Sequence, residues 1–488
     1  MRRTRPITAR TRTRRYDSEK GCYVYDISFR TKSVVTDRTI AVAQSFGLGI
    51  DEEKEHVIYR DFELRLSEGD VVYITGDSGS GKSLLLRALD EDLGDKSINI
   101  ADVGVDQTKP LIDTVGATFR EALRLLSKVG LNDAFLFLRL YPELSDGQRY
   151  RYKIAQMIDS GRKFWLCDEF CSTLDRTTAK IVAYNIQKLA RRNGCTVIVA
   201  TTHTDLEEDL TPSVVIRKGW GKDIDIDYRP NVEPPSCTAT RGITVREGSK
   251  DDYHRLSHLH YRDSRVPIPL KFYAMERMGD LIGVIAYCYP PVNAGGRKKA
   301  VGYRPRIEEL NRDWAIISRV IIHPKYRTIG LGARLVRETL PLCGRRYVEL
   351  IAVMAQYNPF AEHAGMKRIQ ESRPHPSVPE ALEKLRLLRF NPVMMASEVY
   401  NRRRLEDLTE NQVDEVREIL LSVSTHYYKR LMSTGKPYVK KAEMKEWLWK
   451  QPADRFGRCL SILSVLSETK VYLFWSRDWL GNEVGENE

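Results

Sequence analysis

Long apolar runs are missing from this 488-residue chain. None approaches the ~18–20 residues that a helical membrane span requires, so the sequence reads as having no membrane span. Paired cysteines are missing too: eight are scattered with no C-x-x-C. That pattern suits neither a disulfide framework nor a zinc site, and it points to a reducing, cytoplasmic setting. There is no acidic excess, since 78 Lys and Arg face 66 Asp and Glu for a formal charge of +12. What is present is 42% hydrophobic and 30% charged residues, enough for real cores, at a length that calls for more than one domain.

Half of the net charge lies at the N-terminus. Arg2, Arg3, Arg5, Arg10, Arg12, Arg14, Arg15 and Lys20 stand against Asp17 and Glu19, giving residues 1–20 a net +6. Only Ile7 and Ala9 offer an apolar face, too little to fold alone. These residues are expected to form a basic flexible arm. It would either neutralise nucleic-acid phosphates or serve as a solubilising tail or targeting peptide.

The short β-rich run Asp70–Thr75 ends in Gly76-Asp77-Ser78-Gly79-Ser80-Gly81-Lys82-Ser83, and a helical pattern follows. This is G-x-x-x-x-G-K-[ST] between a strand and a helix, the context in which backbone N–H groups wrap a phosphate. Lys82 is placed for the β- and γ-phosphates of ATP, and Ser83 for Mg2+. Downstream, Phe164-Trp165-Leu166-Cys167 reads as a strand ending in Asp168 and Glu169. Asp168 suits Mg2+ held through water, and Glu169 suits orientation or deprotonation of the attacking water. Cys167 and Cys171 flank this pair as buried packing residues.

Together with Leu144-Ser145-Asp146-Gly147-Gln148 and His203, these residues resemble the ABC ATPase family over about residues 21–228. The resemblance assigns Ser145, Gly147 and Gln148 to the signature loop, Asp175 to the D-loop and His203 to the switch histidine. Gln107 becomes the Q-loop glutamine, a catalytic residue and, with Ser83 and Asp168, a ligand of the metal, and Phe46 the aromatic that stacks on adenine. Asp146 stands where the family usually has glycine. Such domains pair head to tail, so one set of motifs implies an ATP-dependent homodimer. Gln107 and Ser145 are 38 residues apart. Transporter members generally carry a longer helical insert there, so a transporter partner is not expected.

Pro230, Pro234 and Pro235 mark residues 229–241 as a linker. Beyond it, His254, His258 and His260 share a helical pattern whose i,i+4 spacing could place two on one face for a metal, but no third ligand is in view, so they read as a solvated face. Strand Ile316–Ile322 then leads to Arg327-Thr328-Ile329-Gly330-Leu331-Gly332-Ala333 and a second helical pattern. Glycines there let the backbone approach a pyrophosphate. The unit resembles motif A of the GNAT acetyltransferases over about residues 242–370. That resemblance implies acetyl-CoA or another acyl-CoA held by residues 327–333. The family's usual tyrosine is replaced by Ala361; Tyr357 and His363 are nearby substitutes, and Glu349 is either a base or an ordinary strand carboxylate.

Residues 371–488 are expected to be helical, basic and aromatic. Lys429 to Lys450 carries net +5, interleaved with Tyr427, Tyr428, Tyr438, Trp447 and Trp449. This suits nucleic-acid phosphates and base stacking, or a helical appendage with aromatics in its core. The expected fold is α/β: a P-loop ABC nucleotide-binding domain, then an α+β GNAT domain, then a mostly helical C-terminal segment. The expected function is an ATPase coupled to a CoA-dependent acyltransferase acting on nucleic acid or a nucleoprotein. The alternatives are a mechanical ATPase with a non-catalytic GNAT module, or an acetyltransferase for a small molecule or protein lysine.

Overall fold

The computed structural model describes residues 8–17, 22–31, 35–49, 54–260, 266–436, 438–452 and 455–481. Among these, the strands form three sheets. The first is antiparallel: β1 (Thr8–Asp17), β2 (Cys22–Thr31) and β3 (Lys54–Phe62), in that order. Residues 8–17 are therefore a strand paired to β2, not a flexible arm. The Thr/Arg alternation satisfies a period of two, and the partner strand supplies hydrogen bonds that composition cannot show. Arg12 is bound to Glu91 and Asp92, so at least one arm arginine is taken up by the protein itself.

The second sheet holds β4 (Val71–Gly76), β5 (Ser97–Asn99), β6 (Phe164–Cys167), β7 (Thr196–Ala200), β8 (Val214–Lys218) and β9 (Ile224–Tyr228). Its order is β5-β6-β7-β4-β8-β9, parallel except for β9. Successive residues of β4 and β7 face opposite layers, as a period of two requires. Val71, Tyr73, Val197 and Val199 pack with the helices Asp146–Asp159 and Arg176–Asn193. Val72, Ile74 and Ile198 pack with the helix Lys82–Leu93 and with Ile27 and Tyr59 of the first sheet. Both faces are covered, which explains the near-continuous apolar runs.

The third sheet holds β10 (Ile243–Gly248), β11 (Pro269–Arg277), β12 (Asp280–Cys288), β13 (Trp314–Ile322), β14 (Tyr347–Ala352), β15 (Lys367–Ser372) and β16 (Lys470–Ser476). Its order is β10-β11-β12-β13-β14-β16-β15. Only β13 and β14 run parallel, and they pair from Trp314↔Tyr347 to Ile316↔Glu349 before parting. β16 lies between β14 and β15, so the C-terminal region is not wholly helical: its last strand completes the preceding sheet. Residues 377–466 between these strands form a helical unit with its own core. In it Tyr428 is buried and donates to the Leu421 carbonyl at 2.6 Å, and Trp447 packs against the core, whereas Tyr438 and Trp449 stay exposed.

The proline-rich stretch 229–241 is docked rather than free. Cys237 and Ala239 are buried in one core with Ile181 and Tyr184 of the helix Arg176–Asn193 and residues of the third sheet. Thr238 donates its N–H and hydroxyl to the buried Asp209 carboxylate at 2.7 and 2.5 Å. Among the described residues, no helix is long and apolar enough to cross a membrane.

Candidate active site

The turn after β4 is shaped by its neighbours. A Cβ at Gly76 would collide with the Lys218 carbonyl oxygen, and one at Gly81 with the Ile58 side chain. Gly81 has φ +108 and accepts a hydrogen bond from the Tyr59 hydroxyl at 3.0 Å. No side chain caps the helix that starts at Lys82, which leaves its first N–H groups for an anion. Lys82 is buried and donates to the Gly76 and Asp77 carbonyls at 2.7 Å each. Burial pushes its ammonium below its usual value, against the pull of Asp168 and Asp77. The Ser80 hydroxyl is 1% exposed and has no hydrogen-bond partner. An orphaned buried hydroxyl, an uncapped helix and a folded-back lysine fit a triphosphate.

Asp168 and Glu169 follow β6. Asp168 is half-buried and accepts the Glu169 N–H at 3.0 Å, while Glu169 is exposed at φ +47, uncommon for a non-glycine residue. Strand β7 leads to the His203 turn: Thr201 N–H bonds the Ile74 carbonyl at 3.0 Å, and the Tyr73 hydroxyl donates to the His203 carbonyl. His203 is thereby tied to the strand that delivers the P-loop. Ser145 caps the helix Asp146–Asp159, and its N–H bonds the Gln148 side chain at 3.0 Å. A Cβ at Gly147 would sit 3.1 Å from Leu174, so this turn packs on the Ser172–Asp175 stretch. The Asp146 carboxylate is exposed and pairs with Arg149 at 3.6 Å.

Two expected residues stand apart. Gln107 is exposed at a loop tip, with no side-chain hydrogen bond among the described residues. Phe46 ends the helix Asp37–Phe46, is 75% exposed, and reaches the P-loop through no described contact. The exposed aromatic beside the P-loop is Trp220, which sequence reading missed. Its ring would lie 3.6 Å from a Cβ at Gly79. Its one sequence signal was an aromatic between glycines at a strand end. Ser145 and Gly147 make no described contact with the P-loop of the same chain. The described residues hold no cluster of three or more His, Cys, Asp or Glu suited to a metal; His258 and His260 fall beyond the helix Lys250–Ser257.

The second glycine turn lies where β13 leaves β14. Thr328 has φ +73, Gly330 precedes the helix Leu331–Thr339 without a side-chain cap, and Ile329, Leu331 and Ala333 pack into the core. Gly330 is exposed and Gly332 half-buried. Arg327 donates to the Ile322 carbonyl at 2.8 Å and to the Asn132 carbonyl at 2.6 Å. Asn185 donates to Thr328 at 2.9 Å, and Lys325 pairs with Asp175 at 2.7 Å. Burial opposes ionisation of Asp175, but Lys325 and Thr178 hold its carboxyl below the usual range. On the other lip, Tyr357 packs edge-on against Phe119 at 5.7 Å and lies under Arg120 at 5.8 Å. Both ends of the parted strands thus touch the nucleotide-binding region.

Glu349 is not available as a base. It is fully buried, bound twice by Arg297 at 3.0 and 2.7 Å and once by Tyr472 at 2.8 Å. Such a pair is stable because its remaining donors are also satisfied: Arg297 reaches the Pro291 and Val292 carbonyls. Ala361 is buried and His363 exposed.

A family model described as ABC transporter matches residues 59–172. The methionine import ATP-binding protein MetN of Clostridium tetani is 29% identical over 234 residues, covering 39% of this chain and 73% of that protein. The maltose/maltodextrin import ATP-binding protein MalK of Vibrio vulnificus is 28% identical over 211 residues, covering 36% and 56%. A solved dimeric ATP-binding cassette in a post-hydrolysis state, bound to ADP and Pi, is 21% identical with a TM-score of 0.32. It covers 37% of this chain and 94% of that one. Residues 59–172, which hold the P-loop and the acidic strand end described above, are an ABC ATPase nucleotide-binding domain.

Proposed function

We propose that this chain is an ATP-gated acyltransferase. ATP closes two copies head to tail, and closure controls a GNAT-like site in residues 242–370, completed by β16, that transfers an acyl group to an amine on nucleic acid or a nucleoprotein. The observation that carries the reading is the contact of the ATPase domain with both lips of the parted strands: Lys325–Asp175, Arg327–Asn132 and Tyr357–Phe119. Asp175 lies in the stretch that the family pattern makes the D-loop, so a change at the ATP interface reaches the second turn directly. Pairing is supported by a signature turn that makes no described contact with its own P-loop.

At the ATP site, Lys82, Ser80 and the backbone of residues 76–83 hold phosphate, Ser83 and Asp168 hold Mg2+, and Glu169 orients the water. Gln107 and His203 would close on the γ-phosphate from their loops, with Ser145, Gly147 and Gln148 contributed by the partner copy. At the second turn, the backbone of residues 328–333 would hold the pyrophosphate, and bound acyl-CoA would supply the thioester. Arg327 positions this turn against the ATPase domain rather than reaching outward. With Glu349 sequestered and Ala361 lacking a hydroxyl, orientation of the amine and backbone amides at the oxyanion would carry the transfer: the C–N bond forms as the thioester C–S bond breaks, and the proton lost by the amine ends on the departing coenzyme A thiolate.

The relatives' names support a second reading, an importer ATPase subunit. Phe135 and Leu138, 64% and 69% exposed in the segment before the signature turn, would then receive a membrane partner. The same segment already contacts the second domain through Phe119 and Asn132, which favours the first reading. Calorimetry with acetyl-CoA tests it. The wild-type protein should bind, and Gly332→Glu should abolish binding while ATP binding persists. A folded wild-type protein that binds ATP but neither CoA nor acetyl-CoA would leave the importer reading.

A further inference from the structure

The helical unit 377–466 carries a basic depression that neither loop uses. It has a volume of about 500 Å3 and is lined by His426, Lys429, Arg430, Ser433, Thr434 and Ile462. Local structure builds it firmly. The buried Tyr428 and Leu431 pin the short helix Tyr428–Leu431, and the Cys459 thiol donates to the Leu431 carbonyl at 3.3 Å. The chain then reverses at Ser433, φ +51, and its N–H and that of Thr434 bond the Arg430 and Lys429 carbonyls at 3.1 Å each. The reversal folds two hydroxyl residues back beside two cations.

Charge sets this place apart. Residues 419–442 contain Lys429, Arg430, Lys436, Lys440 and Lys441 and no Asp or Glu, and the helix Phe456–Leu466 adds Arg458 and no acid. Of these, Lys436 pairs with Glu443 at 2.9 Å, as Arg402, Arg404, Arg417 and Lys450 elsewhere in the unit each pair with a carboxylate. Lys429 and Arg430 have no side-chain partner among the described residues. Two uncompensated cations, an imidazole and two hydroxyls around one depression match a phosphate group, with Arg able to bind two oxygens. Tyr438, 60% exposed, precedes Val439, which is buried in the same core as Tyr428 and Leu431, so its ring is held on the surface of the unit that carries the cradle. An exposed ring on the same basic unit as a phosphate cradle is the pairing that single strands use, because every base has a face to stack.

We propose that this cradle holds a backbone phosphate of single-stranded nucleic acid, with Tyr438 as the platform for an adjoining base. The inference rests on the nucleic-acid part of the proposed function and is independent of acyl transfer. Anisotropy titrations of a labelled 15-nucleotide single strand and a duplex, with the full chain across a salt series, test it. The wild-type protein should prefer the single strand. The double variant Lys429→Glu/Arg430→Glu should weaken binding at least about ten-fold at low salt and reduce the log-affinity against log-salt slope by about one to two. Tyr438→Ala should weaken single-strand binding roughly five- to a hundred-fold at unchanged slope. ATPase activity without nucleic acid should persist in both variants and report their folding. If the wild-type protein binds and the double variant matches it in affinity and slope, the cradle is wrong while a nucleic-acid acceptor survives. No binding of either probe by an active ATPase overturns both. Preference for the duplex, insensitive to Tyr438→Ala, overturns the single-strand assignment.

Discussion

Two strand–turn–helix units carry the two glycine turns, and they hold their glycines for different reasons. At the P-loop the protein itself leaves no alternative, because a side chain at Gly76 or Gly81 would strike Lys218 or Ile58. At the second turn nothing lies within 4 Å of a Cβ at Gly330, and Gly332 meets only Phe360 and Ile322 at 3.8 and 4.0 Å. Packing leaves room there that a ligand would use, and the +86° φ of Gly330 adds a conformational reason. The P-loop is thus doubly determined, by packing and by phosphate. The second turn depends on what approaches it from outside, which is why its chemistry needs direct test.

The sharpest break between the two regions is chemical. Glu169→Gln should cut ATP hydrolysis by about 10²–10⁴-fold, the range for losing general-base assistance, while ATP still binds and a dimer accumulates in sizing runs. Normal hydrolysis by this variant removes Glu169 from the role. Alanine at the glycines comes next in size. Gly81→Ala should destabilise the ATPase domain by about 1–3 kcal/mol, as overpacking does, and weaken ATP binding with it. Gly332→Ala should leave the melting curve nearly unchanged. Equal thermal loss in the two variants would erase the distinction. Smaller still is the optical effect of Trp220: MgATP should change tryptophan emission in the wild-type protein, and Trp220→Phe should remove most of that change.

The smallest effect separates the sheets by pH. Asp252, hydrogen-bonded to Arg246 and capping the helix Lys250–Ser257, is held at about 2. A depressed carboxyl stabilises above its unfolded value of about 3.9 and loses that contribution as pH falls towards 2. Arg246→Ala should therefore flatten the acid side of the third sheet's stability profile by a modest amount, since the guanidinium is partly exposed. A profile unchanged between pH 5 and pH 2 would show the pair to be idle.

Legibility followed the range of the interactions. The P-loop, and the strands that end before Asp168, Glu169 and the His203 turn, were readable because each is a short stretch whose strand or helix is encoded beside it. The strand β1 was not, because its Thr/Arg pattern becomes a strand only through β2. Val471–Trp475 is an apolar run, yet nothing local says that it crosses back to lie between β14 and β15. Proline content marked residues 229–241 as a linker, but nothing local shows that Asp209 and the shared core hold Cys237 to Ala239 in place. The aromatics of the C-terminal unit divided by burial: Tyr428 belongs to the core and Tyr438 to the surface. Trp220 came from a turn with no recognisable spacing to the P-loop, so only three-dimensional contact revealed it.

A single titration decides whether the two loops work as one device. Full-length Glu169→Gln protein, expected to bind ATP without turning it over, is titrated calorimetrically with coenzyme A in the absence and presence of saturating MgATP. The Lys325–Asp175 bridge predicts at least about a five-fold change in the coenzyme A dissociation constant, the lower range of measured couplings between sites. Lys325→Ala in the same background should abolish that change while leaving each ligand's separate affinity within about two-fold. A coenzyme A affinity identical with and without ATP, in a protein that binds both, would contradict coupling between the loops.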